Sequence, residues 1–112
     1  MAAGRNQGVR HSKVVSDILL EFGSRPTIRL WKNATGVGER GGRTIRFGRK
    51  GSADLLGIIS PAGRFLSIEV KTGDGRQTEH QRNFGNMIEK FGGIYIIASC
   101  VQDVEEALDM VS

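Results

Sequence analysis

With 112 residues the chain is a single domain, long enough for one hydrophobic core and too short for two. Its 38% hydrophobic and 25% charged residues are those of a soluble globular protein, no apolar run reaches bilayer length, and its one cysteine excludes an internal disulfide. The formal charge of +4 favours a polyanionic partner and no membrane.

The opening segment, MAAGRNQGVRHSK, has no apolar stretch and does not read as a secretory signal. Together with the lone Cys100, read as a small buried residue near a strand end, it sets the expectation of a reducing, cytoplasmic setting. Residues 1–8 show no periodicity and read as a flexible N-terminal arm, which leaves 9–112 as the folded domain. Val14, Val15, Ile18, Leu19 and Phe22 recur at helical spacing, with Ser12 a candidate cap and Gly23 a stop. TIRLW (27–31) alternates as a strand does. NATGVGERGG (33–42) is too rich in glycine for a stable element and reads as a loop. A short strand around Thr44–Phe47 is the weakest of the set.

ADLLGIIS (53–60) and FLSIEVKT (65–72) are strands joined by a short turn at Pro61–Arg64, which predicts an antiparallel hairpin. Thr78 and Gln81 form a capping-box pair opening a helix to about Lys90 or Phe91, with Phe84, Met87, Ile88 and Phe91 facing inward. IYIIASC is a buried strand, and VQDVEEALDMVS an amphipathic helix with Val104, Leu108 and Val111 on one side. The order is α-β-β-β-β-α-β-α, an α/β fold on a mixed sheet.

One stretch carries more than structure. Residues two apart share a face of a strand, so Leu66, Ile68 and Val70 form an apolar face while Ser67, Glu69 and Lys71 share the other. An isolated Glu-x-Lys in a strand is ordinarily an exposed same-face ion pair worth about 0–1 kcal/mol. Here Asp54 stands at the start of the preceding strand, and hairpin pairing can bring its carboxylate beside Glu69. Two crowded carboxylates repel unless a cation sits between them, and Mg²⁺ or Mn²⁺ binds through one or two carboxylates and several waters. Lys71 would face the same point, able to orient water or offset negative charge, and the Val70 backbone carbonyl is a candidate further ligand. Arg40, Arg43, Arg46, Arg49 and Lys50 precede this group and Arg76 follows it, placing cations where phosphates could be held. Aromatic residues are few and read as core, so base stacking gains little support, and one cysteine with two histidines cannot form a structural zinc site.

Asp54 followed by Glu69-Val70-Lys71 resembles the PD-(D/E)xK nuclease signature, with Ala53 in place of the usual proline. LWKNATG, FGRKGSADLLGI, GRFLSIEVKTGDGRQTEHQRNF and GGIYIIA resemble successive blocks of the VRR-NUC family, over about residues 10–99. The resemblance implies a restriction-endonuclease-like core and a Mg²⁺- or Mn²⁺-dependent DNA endonuclease, selective for branched DNA such as Holliday junctions or flaps. It also implies a homodimer of phage or prophage origin acting in a bacterial host's cytoplasm. Asp54 and Glu69 match the metal carboxylates, Lys71 the catalytic lysine, and Gln81 the glutamine of the following helix. Many members carry a glutamate near the start of the first helix. Here that region reads RHSKVVSD, and His11, Ser12, Asp17 and Glu21 are the alternatives, with His11 taken alone reading as an exposed helix-start residue. Two other functions stay in view: a nucleic-acid-binding module that does not cut, and a sequence-specific restriction-type nuclease.

Overall fold

The computed structural model describes residues 2–34 and 36–111, with residues 2–7 described by their backbone alone. In chain order the elements are α1 (Ala2–Gly23), β1 (Ile28–Lys32), β2 (Gly36–Arg40), β3 (Arg43–Phe47), β4 (Leu55–Ile59), β5 (Arg64–Val70), α2 (Glu79–Lys90), β6 (Ile94–Ala98) and α3 (Val101–Val111). The fold is α/β, with three helices, a mixed four-stranded sheet and a separate two-stranded ribbon.

The main sheet has the order β1-β4-β5-β6. β1, β4 and β5 pair antiparallel, and β6 joins β5 in parallel, the intervening helix α2 supplying the crossover that parallel neighbours need. β5 is therefore interior and buried on both faces. Leu66, Ile68 and Val70 meet Val15, Ile18 and Phe22 of α1 and Val104 of α3, and most of the core lies in that layer. Each such side chain, once fully buried, contributes about 1.5–3 kcal/mol. The opposite face is covered by α2, whose Phe84 and Ile88 pack with Ala53. Gly85 lets α2 approach, because a Cβ there would run into the Tyr95 ring.

Several expectations are corrected. Helix α1 begins at Ala2, so residues 2–8 are helical rather than an irregular arm, and Ser12 lies inside the helix instead of capping it. Ala2, Ala3, Arg5 and Gln7 are good helix formers and outweigh Gly4 and Gly8; Met1 lies outside the described residues. Segment 33–42 is not all loop: it holds β2, paired with β3, so five strands precede α2 instead of four. The reason is local, since Gly41 and Gly42 both take positive φ, 58° and 77°, as a two-residue turn matching the twist of a hairpin requires. Phe91 sits past the end of α2 and is 79% exposed rather than inward, Val111 is also exposed, and Cys100 is exposed at the start of α3 instead of buried.

Candidate active site

The β4–β5 register aligns Leu55 with Ile68, which sets Asp54, one residue before the strand, across from Glu69. The loop delivering Asp54 is tied down by Asn33: its amide donates to Ser52 Oγ and to the Ala53 carbonyl, and its N–H donates to the Asp54 carbonyl at 2.9 Å. The same loop rests on α2 at Gly51 (φ 78°), where a Cβ would strike the His80 backbone. Ala53, where the nuclease signature has proline, is buried beneath α2.

The Asp54 carboxylate is held on one oxygen from two directions. The Val70 N–H donates to Oδ2 at 2.9 Å, and His11 Nε2 of α1 lies 3.2 Å from the same atom. Val70 was expected to offer its carbonyl; the contact it makes here is through N–H. Of the four alternatives for the first helix, His11 is the one at the site. Asp17 pairs with Lys13, Glu21 pairs with Arg25, and Ser12 is exposed, so the expectation of a merely exposed His11 is overturned.

Glu69 is 3% exposed, which rules out the exposed-edge reading of the Glu-x-Lys pair. Gln81 Nε2 donates to Glu69 Oε2 at 3.0 Å, and Lys71 Nζ lies 3.4 Å from the same oxygen. Gln81 also caps its helix as expected: its Oε1 accepts from the Thr78 N–H while its own N–H donates to the Thr78 hydroxyl, closing the capping box. Lys71 is aligned by its N–H, which donates to the Ala98 carbonyl and extends the β5–β6 pairing by one residue.

Burial and then the nearby Asp54 charge push the Glu69 carboxyl up to about 7, against the pull of Lys71 and His11. Tyr95 is a member of this neighbourhood that the sequence pattern concealed. Its hydroxyl accepts from Gln77 Nε2 at 3.1 Å and donates to the Gln81 carbonyl at 3.4 Å, and burial pushes it above the usual tyrosine range. The signal was there in IYIIA, because Tyr95 pairs with Ser67 and alternation places it on the Glu69 face.

The cations are distributed unequally. Arg40, Arg43 and Arg46 lie on the β2–β3 ribbon, Arg49 and Lys50 in the loop leading to Asp54, and Arg76 in the connection to α2; all are exposed. Among the described residues, none of the six has a carboxylate partner. Nor do any three His, Cys, Asp or Glu side chains among the described residues converge as a ready metal cage. What the chain offers a cation is narrower: two carboxylates, one of them buried beside the other's charge. That donor set suits a hard divalent ion that keeps most of its waters, and is too sparse for a tightly caged one. No protein-family model matches the chain, and no curated protein does.

Proposed function

We propose that the chain is a divalent-metal-dependent DNA endonuclease, with branched DNA as its preferred substrate. The carrying observation is the buried Glu69 carboxyl, raised to about 7 beside Asp54 and sharing an oxygen with Lys71 and Gln81. A fold has no structural need for that cost, whereas a cation shared by the two carboxylates would remove it.

Asp54 and Glu69 would hold Mg²⁺ or Mn²⁺, which supplies charge neutralisation at a phosphate and a more acidic bound water. The chain's own groups do the rest. His11 and the Val70 N–H fix Asp54, and Gln81 fixes Glu69, so neither carboxylate must reorganise when phosphate arrives. Lys71 Nζ is free to turn from Glu69 towards a phosphate oxygen or the attacking water. The unpaired arginines would hold the backbone without reading bases, which leaves DNA shape as the source of selectivity.

The sparse donor set favours a second reading, a DNA-binding module that does not cut. One series separates them. The intact protein with Mg²⁺ is expected to nick a four-way junction faster than a linear duplex of the same sequence. Lys71→Ala should lower cleavage at least about 100-fold with binding within about threefold. Equal cleavage by the variant would remove Lys71 from the chemistry, and absence of both cleavage and calorimetric Mg²⁺ or Mn²⁺ binding would favour the module. Faster cutting of one particular linear sequence would instead favour a restriction-type enzyme.

A further inference from the structure

Among the described residues, the apolar side chains of the β2–β3 ribbon, Val37, Ile45 and Phe47, are exposed and belong to neither core cluster. Its register pairs Gly36 with Phe47, Gly38 with Ile45 and Arg40 with Arg43. Directly opposed residues share a face, so one face of the ribbon carries Phe47, Ile45, Arg40 and Arg43, and opposite Phe47 and Ile45 its β2 half is bare glycine. The Phe47 ring fills that bare half: a Cβ at position 36 would meet its Cζ at 3.1 Å, and one at position 38 its Cε1 at 3.6 Å. The ring thus lies across its own ribbon, and Phe47 remains 49% exposed and Ile45 39% exposed.

From this geometry we propose that the ribbon is a stacking platform for an unpaired DNA base, with Phe47 as the ring that receives it. The inference rests on the DNA reading above and adds a recognition element to it. Arg40 and Arg43 stand directly opposite on the same face, an arrangement that repels, and no carboxylate among the described residues relieves it. An aromatic ring beside two unneutralised guanidiniums suits a base and its flanking phosphates. A second copy of the chain suits it poorly, since a two-fold contact through this face would bring the same arginines against each other. The ribbon also leads straight to the cutting residues, with only residues 48–53 between Phe47 and Asp54. Unpaired or readily unstacked bases occur at branch points and in single strands, and not in a linear duplex. The platform therefore gives a physical basis for preferring branched DNA. It also revises the expectation that the aromatics are core, because Phe47 is exposed and belongs to neither core cluster.

The test uses the intact protein in EDTA, so that nothing is cut. The DNAs carry 2-aminopurine at the branch point of a four-way junction, within a single strand, or inside a linear duplex. Wild-type protein is expected to change 2-aminopurine fluorescence in the junction or the single strand, and not in the duplex. The form that responds identifies the source of the base. Phe47→Ala and Phe47→Leu should bind the responding DNA roughly 10-fold more weakly and lose the fluorescence change, while Phe47→Trp keeps both. Phe47 is half exposed, so its loss should not unfold the domain, and circular dichroism of each variant checks this. Binding by Phe47→Ala within twofold of wild type, with the fluorescence change intact, would overturn the platform while leaving the nuclease reading standing. Absence of binding to any DNA by wild type would overturn both.

Discussion

The end of the main sheet and the β2–β3 ribbon both hold residues that a DNA-cutting protein needs, and they are built in opposite ways. At the sheet end both carboxylates and Gln81 are each fastened by another group. Asp54 is held by Val70 and His11, Glu69 by Gln81 and Lys71, and Gln81 in turn by its capping box and by Tyr95. In the ribbon the cations have no carboxylate partner among the described residues, the apolar side chains are half exposed, and the shape rests on one ladder and a two-glycine turn. Chemistry on a phosphodiester requires preorganised groups, whereas gripping a variable DNA surface requires groups left uncommitted. If that division is real, substitutions at the sheet end should change folding and catalysis together, and substitutions in the ribbon should change binding alone.

The largest effect on folding is expected at Gly51. Its φ of 78° is strained for any other residue, and a Cβ there meets the backbone of His80. Gly51→Ala should cost roughly 3–5 kcal/mol, from strain and forced displacement of α2, and should lower cleavage by moving Asp54. Urea unfolding measures the first and a nicking assay the second. A variant as stable as wild type would show that the loop yields easily, and the contrast with the ribbon would weaken.

Glu69 comes next, and its effect depends on pH. Its folded-state value of about 7 lies above the ordinary 4.5. Below about pH 4.5 the carboxyl is neutral in both states and its burial costs no charge. As pH rises from there, the unfolded chain releases the proton while the folded chain keeps it, so stability falls until about pH 7, by about 3 kcal/mol in all. In EDTA, Glu69→Gln should therefore be more stable than wild type at pH 8 by up to about 3 kcal/mol and nearly equal to it at pH 4. Thermal melts at the two pH values decide this. An unchanged difference between them would mean that Glu69 is not a strained carboxyl. Mg²⁺ or Mn²⁺ added at pH 8 should stabilise wild type and not the variant.

The same division explains what could be read without coordinates. Asp54, Glu69, Lys71 and Gln81 follow from local rules: alternation along a strand, a short hairpin, and a capping box whose partners are three residues apart. Those rules act over neighbours, so they place the four residues correctly. His11 is 43 positions from Asp54, and which way it turns is set by how α1 lies on the sheet, with Ile18 and Phe22 buried beneath it. No local pattern reports that rotation. Strand β2 was hidden for a different reason. Its glycines lower strand propensity, yet they are what let the Phe47 ring lie across the ribbon and the Gly41-Gly42 turn close. The core of β5 was plain from Leu66, Ile68 and Val70, while burial of its other face needed the knowledge that α2 packs there.

The smallest effect on folding is expected at Arg43, and it tests the division most directly. Its side chain is exposed, opposes Arg40 across the turn and has no carboxylate partner among the described residues, so Arg43→Gln removes a repulsion and no ion pair. Stability should move by less than about 0.5 kcal/mol, and upward if at all. Binding should respond differently. If Arg43 holds one phosphate, its loss releases one fewer set of counterions, and the slope of log affinity against log salt should become shallower by about 0.9. The two proteins should then differ most near 50 mM salt and converge as salt is raised. Arg40→Gln should behave alike, and the double variant should lose the sum if each arginine meets its own phosphate. A slope unchanged by either substitution would mean that the ribbon's cations do not touch DNA, and the uncommitted half of the molecule would need another partner.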